Sequence, residues 1–348
     1  MSDNQITARV KQKSGKEVRH FSCLACSSRD SEHFCTAFDR YYGSPDTTWE
    51  ILRCRQCGFG WTDPPLPEEE IPGYYPDWYM GDTRRTIEEY QSGQLARSRS
   101  WRIEIEKVRH VEEFQRSGKI LDVGCGDGKF LWGMDPSRWE RTGVERAAEI
   151  MQLARQHFPQ VRWISGDIYS TQLDGSQFDV VTFWHVLEHL PRPSRVLRRV
   201  SELVRPGGWA LIALPNLESL QAHLFRHNWF AFDEVPRHLF HYSPRALEIF
   251  LEEAGFRVCG HRLYSWNNNF HSLKHSLVHW SEERFGNRVP YYLLKPLLFG
   301  MQALEQMRGR YGMLATVAQR SDDEGLTQRH RGTEEDEKKK KLAPLPAS

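Results

Sequence analysis

The residues best suited to chemistry begin at Asp122-Val123-Gly124-Cys125-Gly126-Asp127-Gly128, an acid followed by three alternate glycines. Glycine has no Cβ, so backbone at such a turn can pass very close to a ligand. A dinucleotide fingerprint would be Gly-x-Gly-x-x-Gly, and its third glycine would fall on Lys129. Asp122 would also repel a pyrophosphate, whereas it suits a cationic or zwitterionic ligand. Glu145 ends a second apolar run and can accept hydrogen bonds from ribose hydroxyls. Asp167, with Ile168 after it, ends a third run, and Trp184 ends a fourth. His185 and His189 follow Trp184, and His238 lies in the segment Asp233-Glu234-Val235-Pro236-Arg237-His238-Leu239-Phe240-His241-Tyr242-Ser243. Imidazole titrates near neutral pH, which makes each of these histidines a candidate general base. The types and spacing of His185, Glu188 and His189 also allow a divalent-metal site, although such a trio is readily obtained at an ordinary helix start. Finally, Cys23, Cys26, Cys54 and Cys57 form two Cys-x-x-Cys pairs. Two such turns close a tetrahedral zinc site with no open position, so a structural role is expected, with redox or free thiols as the alternative.

The elements needed to position these groups can be read from the same stretches. Lys119–Val123 reads as a buried strand that runs into the glycine turn and then a helix. Arg141–Glu145, Val161–Ile168, Phe178–His185 and Leu203–Asn216 supply four more strand regions, the last with a turn at Pro206-Gly207-Gly208. Pro244–Ala254 reads as a helix with Ser243 as its N-cap and Gly255 beyond its end. Phe256–Tyr264 and Tyr311–Gln319 read as the sixth and seventh strands. Residues 266–310 between them are an insertion with candidate helices at 271–280 and 289–304, the second broken at Lys295-Pro296. The expected organisation is a disordered tail over 1–17, a metal module over 18–80, a helical connector over 81–117, the α/β domain over 118–319 and a disordered tail over 320–348.

Composition narrows the class. The 348 residues carry a formal net charge of +1, which gives no global pull toward nucleic acid or an anionic membrane. No apolar run reaches the ~18 residues of a spanning helix, and the polar start lacks a signal-peptide core. Of seven cysteines, Cys35, Cys125 and Cys259 stand alone, a pattern that favours a metal site in a reducing compartment over a disulfide framework. A cytoplasmic protein is expected. The apolar insertion is expected to form a lid or a dimer contact, with a peripheral membrane contact as the alternative.

Taken together, the glycine loop, Glu145, Asp167 and the order of the strands resemble class I S-adenosylmethionine (SAM)-dependent methyltransferases. The resemblance implies a Rossmann-like seven-stranded sheet, with SAM held by Asp122, Gly124, Gly126, Gly128, Glu145, Asp167, Ile168 and Trp184. The cysteine module and its tail, Thr62–Pro67 and Tyr74–Tyr79, resemble the zinc-ribbon heads of methyltransferases linked to sugar and polysaccharide biosynthesis, which implies a structural Zn²⁺. In sugar C-methyltransferases with such heads, a catalytic histidine stands where His238 does. This chain has Arg237 before that histidine and lacks their extra C-terminal domain, so O-methylation of a sugar, glycolipid or other small-metabolite hydroxyl is favoured. Quinone-type O-methyltransferases place an acid where His185 stands. The rivals are a zinc-ribbon protein that binds or modifies RNA and a non-catalytic SAM-binding subunit. Trp184-His185-Val186-Leu187 stands where a base-amine methylase would carry Asn-Pro-Pro-Tyr, and the acids and glycines of the cofactor loop are intact.

Overall fold

The computed structural model describes residues 22–43, 46–75, 99–173 and 177–321, together with Arg9–Lys11, Glu17–Arg19 and the single positions 88, 92 and 175. Arg9–Lys11, inside the stretch 1–17 read from sequence as a disordered tail, pairs antiparallel with Glu17–Arg19 at its end. The expected tail from residue 322 onward, and most of the connector before residue 99, lie outside the described residues.

The head is an antiparallel sheet of β1 (Ser31–Phe38), β2 (Thr48–Cys54) and β3 (Gly60–Asp63). Helix α1 (Arg99–Glu112) leads to the main domain. There the chain runs through β4 (Gly118–Val123), α2 (Lys129–Gly133), β5 (Trp139–Glu145), α3 (Ala148–His157), β6 (Arg162–Ser165), β7 (Phe178–Trp184), α4 (Pro193–Leu203) and β8 (Val204–Pro215). After β8 come α5 (Leu220–Phe225), the short strand β9 (Phe240–His241), α6 (Pro244–Glu253) and β10 (Phe256–Leu263). The insertion forms α7 (Trp266–Phe285), α8 (Val289–Leu294) and α9 (Leu297–Arg308), and β11 (Met313–Arg320) is the last element among the described residues.

The seven-stranded sheet expected from the sequence is present, in the order β10-β11-β8-β7-β4-β5-β6. Strands β6, β5, β4, β7 and β8 are mutually parallel, and β11 enters antiparallel between β8 and β10. Ile120, Leu121 and Val123 are all buried, the near-continuous apolar run of a parallel strand covered on both faces. Strand order reverses beside β4, and in open α/β sheets that switch point is where ligands bind, at the strands' carboxyl ends. Helix α6 starts as read: Pro244 takes the first turn and Ser243 Oγ accepts a hydrogen bond from the Ala246 amide (3.0 Å).

The head does not stand apart from this domain. Its fourth strand is β9, donated by the long connection after β8, with Phe240 opposite Trp61 and His241 opposite Gly60. Thr62 extends the pairing: its amide donates to Leu239 O (3.1 Å) and its hydroxyl to His238 O (2.7 Å). Phe59 stacks on Phe240 and meets Phe250 of α6 edge-on, so head and sheet share one apolar core. Arg237, with a fully buried side chain, forms a two-pronged pair with Asp39 of the head, at 2.5 Å (Nη1–Oδ2) and 2.9 Å (Nη2–Oδ1).

Helix α7 begins five residues earlier than the 271–280 helix read from sequence. Asn267-Asn268-Asn269 reads as a helix breaker, because free asparagine side chains compete for backbone groups. Here Asn267 donates to Glu106 (2.7 Å) and Asn269 to Glu305 (2.8 Å), which removes that competition. Leu273, Leu277 and Val278 then pack with Phe34 and Ile51 of the head and with Trp229 and Phe232 of the connection. The break at Lys295-Pro296 separates α8 from α9 as expected. Among the described residues no helix is long and apolar enough to cross a membrane.

Arg237→Ala would leave the Asp39 carboxylate buried without its cation. The expected loss is about 3–5 kcal/mol of stability, measured by denaturant unfolding of the full chain. A loss below about 1 kcal/mol would show that the pair is not what holds the connection to the head.

Candidate functional site

The glycine loop lies between β4 and α2 and is pinned to the end of β5: the Gly124 and Cys125 amides both donate to Val144 O (2.8 and 3.1 Å). Gly124 has φ +68°, and a Cβ there would stand 2.6 Å from a Val186 methyl group, so this turn needs glycine both for its conformation and for space. Gly126 and Gly128 also lie in the left-handed region, at φ +53° and +75°.

Glu145 faces this loop. Its Oε2 accepts from the Gly126 amide (3.1 Å), and its Oε1 accepts from the Arg146 and Ala147 amides (2.7 and 3.1 Å). A carboxylate has about four acceptor positions, so about one stays open in this conformation. One ribose hydroxyl fits directly, and a second would have to displace a backbone donor. Asp167 Oδ1 accepts from the Tyr169 and Ser170 amides (2.8 Å each). Burial opposes its ionisation, yet these two amides outweigh it and hold the carboxyl below its ordinary value. Ile168 is buried in the core behind it.

Asp122 is buried, and its Oδ1 accepts from the Thr182 hydroxyl (2.7 Å). Burial pushes its carboxyl up to about 7, against the pull of that hydrogen bond and of the Lys107 charge. Lys107 comes from α1, pairs with Glu104 (2.8 Å) and lies 5.5 Å from the Trp184 ring centroid. Burial alone would lower its ammonium; Glu104 and its other neighbours outweigh that and keep it above its ordinary value. Trp184 packs edge-on to Phe130 and tilted against Tyr264. Sequence reading missed Lys107 and Thr182. A Glu–Lys pair at i, i+3 looks like any solvated helix face until the helix is seen to lie against the sheet.

The three candidate histidines divide into two groups. His185 sits at the end of β7 with φ +61°, a left-handed conformation unusual for a residue with a side chain. Its amide donates to Ala213 O (2.9 Å), its Nδ1 is 3.5 Å from Glu188 Oε1, and Asn268 of the insertion approaches its Nε2 at 3.3 Å. His189 and His238, far apart in sequence, face each other with ring centroids 4.6 Å apart. His238 Nδ1 lies 2.8 Å from Ala231 O, and His189 Nδ1 lies 3.1 Å from both Arg237 O and the Tyr75 hydroxyl. A carbonyl can only accept, so both protons are assigned to Nδ1 and both Nε2 atoms carry lone pairs. Burial first, and then the neighbouring His238, lower His189 to about 4. Glu188 is 1% exposed; its oxygens accept no well-aligned hydrogen bond, and its ion-pair partner is His185 Nδ1 at 3.5 Å. Burial opposes its charge, but the imidazoles of His185, His189 and His238 outweigh it and hold the carboxyl below its ordinary value. Glu188, His189 and His238 each bring one ligand atom within 4.8 Å of the others. The partner of Glu188 and His189 in that cluster is therefore His238 rather than His185.

In the head, Cys23 and Cys57 sulfurs are 3.5 Å apart and Cys26 and Cys54 sulfurs 3.6 Å apart, with all four within 4.8 Å. Zinc bound tetrahedrally at about 2.3 Å would place its sulfurs roughly 3.8 Å apart, so the donor set fits. Cys35 stays outside it, its thiol pushed up to about 12 by burial.

Residues 94–260 match a family described as a methyltransferase domain. Ubiquinone biosynthesis O-methyltransferase of Bordetella avium is 30% identical over 120 residues, which is 33% of this chain and 49% of that protein. The protein of the same name from Coxiella burnetii is 26% identical over 164 residues, 44% of this chain and 70% of that one. The chain thus spans about half the length of the Bordetella relative. Among solved structures, coclaurine N-methyltransferase, bound to N-methylheliamine and SAH, is 18% identical with a TM-score of 0.43, covering 62% of this chain and 72% of that one. Residues 94–260, just under half of the chain, thus form a methyltransferase domain, and the sheet order and glycine loop described above are those of a Rossmann-like SAM-dependent methyltransferase.

Proposed function

We propose that the protein transfers the methyl group of SAM to a hydroxyl oxygen of a small acceptor, with His238 as the general base. The carrying observation is the His238 ring itself: its Nδ1 is tied to Ala231 O, which makes Nε2 the basic nitrogen, and the ring lies against His189 in one cluster with Glu188. The acceptor oxygen forms its bond to the methyl carbon as the carbon–sulfur bond breaks. The cofactor's sulfur leaves as a neutral thioether, and the hydroxyl proton passes to His238 Nε2. The buried Glu188 carboxylate would steady the imidazolium that results. His189, held near 4, stays neutral and serves as an orienting neighbour. The names of the relatives favour oxygen as the acceptor atom. The zinc-ribbon head supports a sugar, a glycolipid or another small metabolite as its carrier. Helix α7 reaches His185 through Asn268, which supports a covering role for the insertion. The exposed Tyr292, Leu293, Leu297 and Phe299 of α8 and α9 fit a contact with a second copy of this chain.

His238→Ala is expected to lower kcat by about 10²–10⁴-fold while SAM affinity stays near wild type. A variant with full rate at neutral pH would remove His238 from the role and pass it to His189 or His185.

Asp122 is proposed to balance the positive charge of SAM. Its folded carboxyl near 7 is raised, so below that pH the free protein carries a proton that cation binding must expel. SAM affinity should therefore climb by up to tenfold per pH unit approaching 7 from below and level off above it. Calorimetry in two buffers of different ionisation heat should show proton release near pH 6.5. Asp122→Asn should abolish both effects, and a flat profile in the wild type would sink the assignment.

One structural zinc per chain is proposed at Cys23, Cys26, Cys54 and Cys57. Cys54→Ser should lose it by metal analysis and loosen the head. Because β3 carries β9 and the His238 backbone, methyl transfer should fall with it, while SAM binding largely survives. A metal-free wild-type protein, purified without chelator, would contradict the site.

A further inference from the structure

We propose that the cleft between α4 and the loop after β6 is a binding site for a phosphoryl anion, apart from the methyl-transfer site. Helix α4 supplies its charge. The apolar stripe of this helix, Val196, Leu197, Val200 and Leu203, is buried in the core, while Arg195, Arg198 and Arg199 line the cleft. Together with Arg192, four arginines fall within eight residues that contain no acid. Like charges three and four residues apart repel one another on a helix, so this face gains from an anion. The cleft has a volume of about 460 Å³, which is within the range of small-ligand sites. Three guanidinium groups and one carboxylate, Glu202, line it, which leaves two positive charges over. Glu202 pairs with Arg199 (3.0 Å) from the rim, where its side chain is 65% exposed. Glu68 takes Arg192 (2.6 Å), and Glu253 of α6 feels the Arg198 charge from outside the lining. Arg195 is held ready: its guanidinium carbon lies 4.8 Å from the Tyr169 ring centroid, and the Tyr169 hydroxyl donates to Arg192 O (3.1 Å). A cation already fixed in place loses little freedom on binding. Guanidinium forks match phosphate oxygens in pairs, and a phosphoryl dianion balances a surplus of two charges, where a single carboxylate would leave one.

The floor of the cleft belongs to the cofactor loop. Tyr169 and Ser170, which line it, are the residues whose amides hold Asp167 Oδ1 (2.8 Å each). An anion gripped here would restrict that turn with Asp167 in its present position, so SAM should bind more tightly. By linkage SAM would tighten the anion by the same factor. This coupling rests on Asp167 as a contact of SAM; the anion site itself does not.

The probe is inorganic pyrophosphate, titrated by calorimetry into the full-length protein at fixed ionic strength. One site per chain is expected. Arg195→Gln and Arg198→Gln change exposed positions outside the apolar stripe, so the fold should survive, and each should weaken binding by about tenfold. Arg257→Gln on β10 removes the same charge elsewhere and should leave binding near wild type. Flotation with phosphatidylglycerol vesicles but not with phosphatidylcholine, lost in the Arg195→Gln, Arg198→Gln double variant, would identify a lipid headgroup as the source of the phosphoryl group. Pyrophosphate binding without flotation would identify a soluble one. Binding of neither probe by the wild type, unchanged binding by the double variant, or an equal loss in Arg257→Gln would each overturn the site. Saturating pyrophosphate should tighten SAM roughly fivefold, and an unchanged SAM affinity would overturn the coupling. Full SAM affinity in Asp167→Ala would overturn the cofactor reading of that residue and leave the anion site standing.

Discussion

The buried pair between Arg237 and Asp39 is the constraint on which the candidate active site depends. A guanidinium with no solvent contact must be met by a carboxylate, and a two-pronged geometry fixes orientation as well as charge. Asp39 is itself held in place, because its Oδ1 also accepts from the amides of Tyr41 and Tyr42. The Arg237 guanidinium carbon lies 4.6 Å from the Tyr42 ring centroid. The residue after this anchor is His238, and the carbonyl of the anchor itself receives His189. Head, connection and fourth parallel strand are thus tied together through a single residue.

This arrangement gives the zinc-ribbon-like head a mechanical role. Its third strand templates β9, its Thr62 hydroxyl holds the His238 carbonyl, and Tyr75, just past that sheet, touches His189. Ser243 Oγ, which caps α6, also donates to the Cys57 carbonyl (2.5 Å), so a cysteine turn and a helix start of the main domain share one hydroxyl. Four sulfurs closed around a metal would stiffen the turns from which these contacts radiate. A module too small to build a large core can then still position side chains for a neighbouring domain.

The two halves of the site use burial in opposite senses. Around Asp122, burial dominates and brings a carboxyl to about 7, poised to change charge when a cation arrives. Around Glu188, burial is outweighed by three imidazoles, His185 foremost, so the charge persists. Each carboxylate stands near the carboxyl end of a central parallel strand, where the reversal of strand order opens the crevice.

Much of the framework was legible from residue order alone. Apolar runs ending in Asp122, Glu145 and Asp167, and the helix capped by Ser243, are local patterns, because strand burial, turn glycines and caps depend on neighbours in sequence. The Cys-x-x-Cys pairs were legible for the same reason. The partnership within the histidine site was not. His185, Glu188 and His189 look like a unit because they are adjacent; His185 does keep its Nδ1 3.5 Å from Glu188, but its Nε2 meets Asn268, and His238 joins Glu188 and His189 from beyond β8. Lys107 gave no signal at all, and Tyr75 none beyond the aromatic tail it belongs to, since a lysine on a charged helix and a tyrosine in such a tail acquire a role at the site only from what packs against them. Sequence by itself determined the sheet, the glycine loop and the cysteine donors, whose physics acts along the chain. Tertiary structure alone decided which imidazoles meet Glu188 and that the head holds them there, because desolvation and long-range pairing exist only once distant segments are packed together.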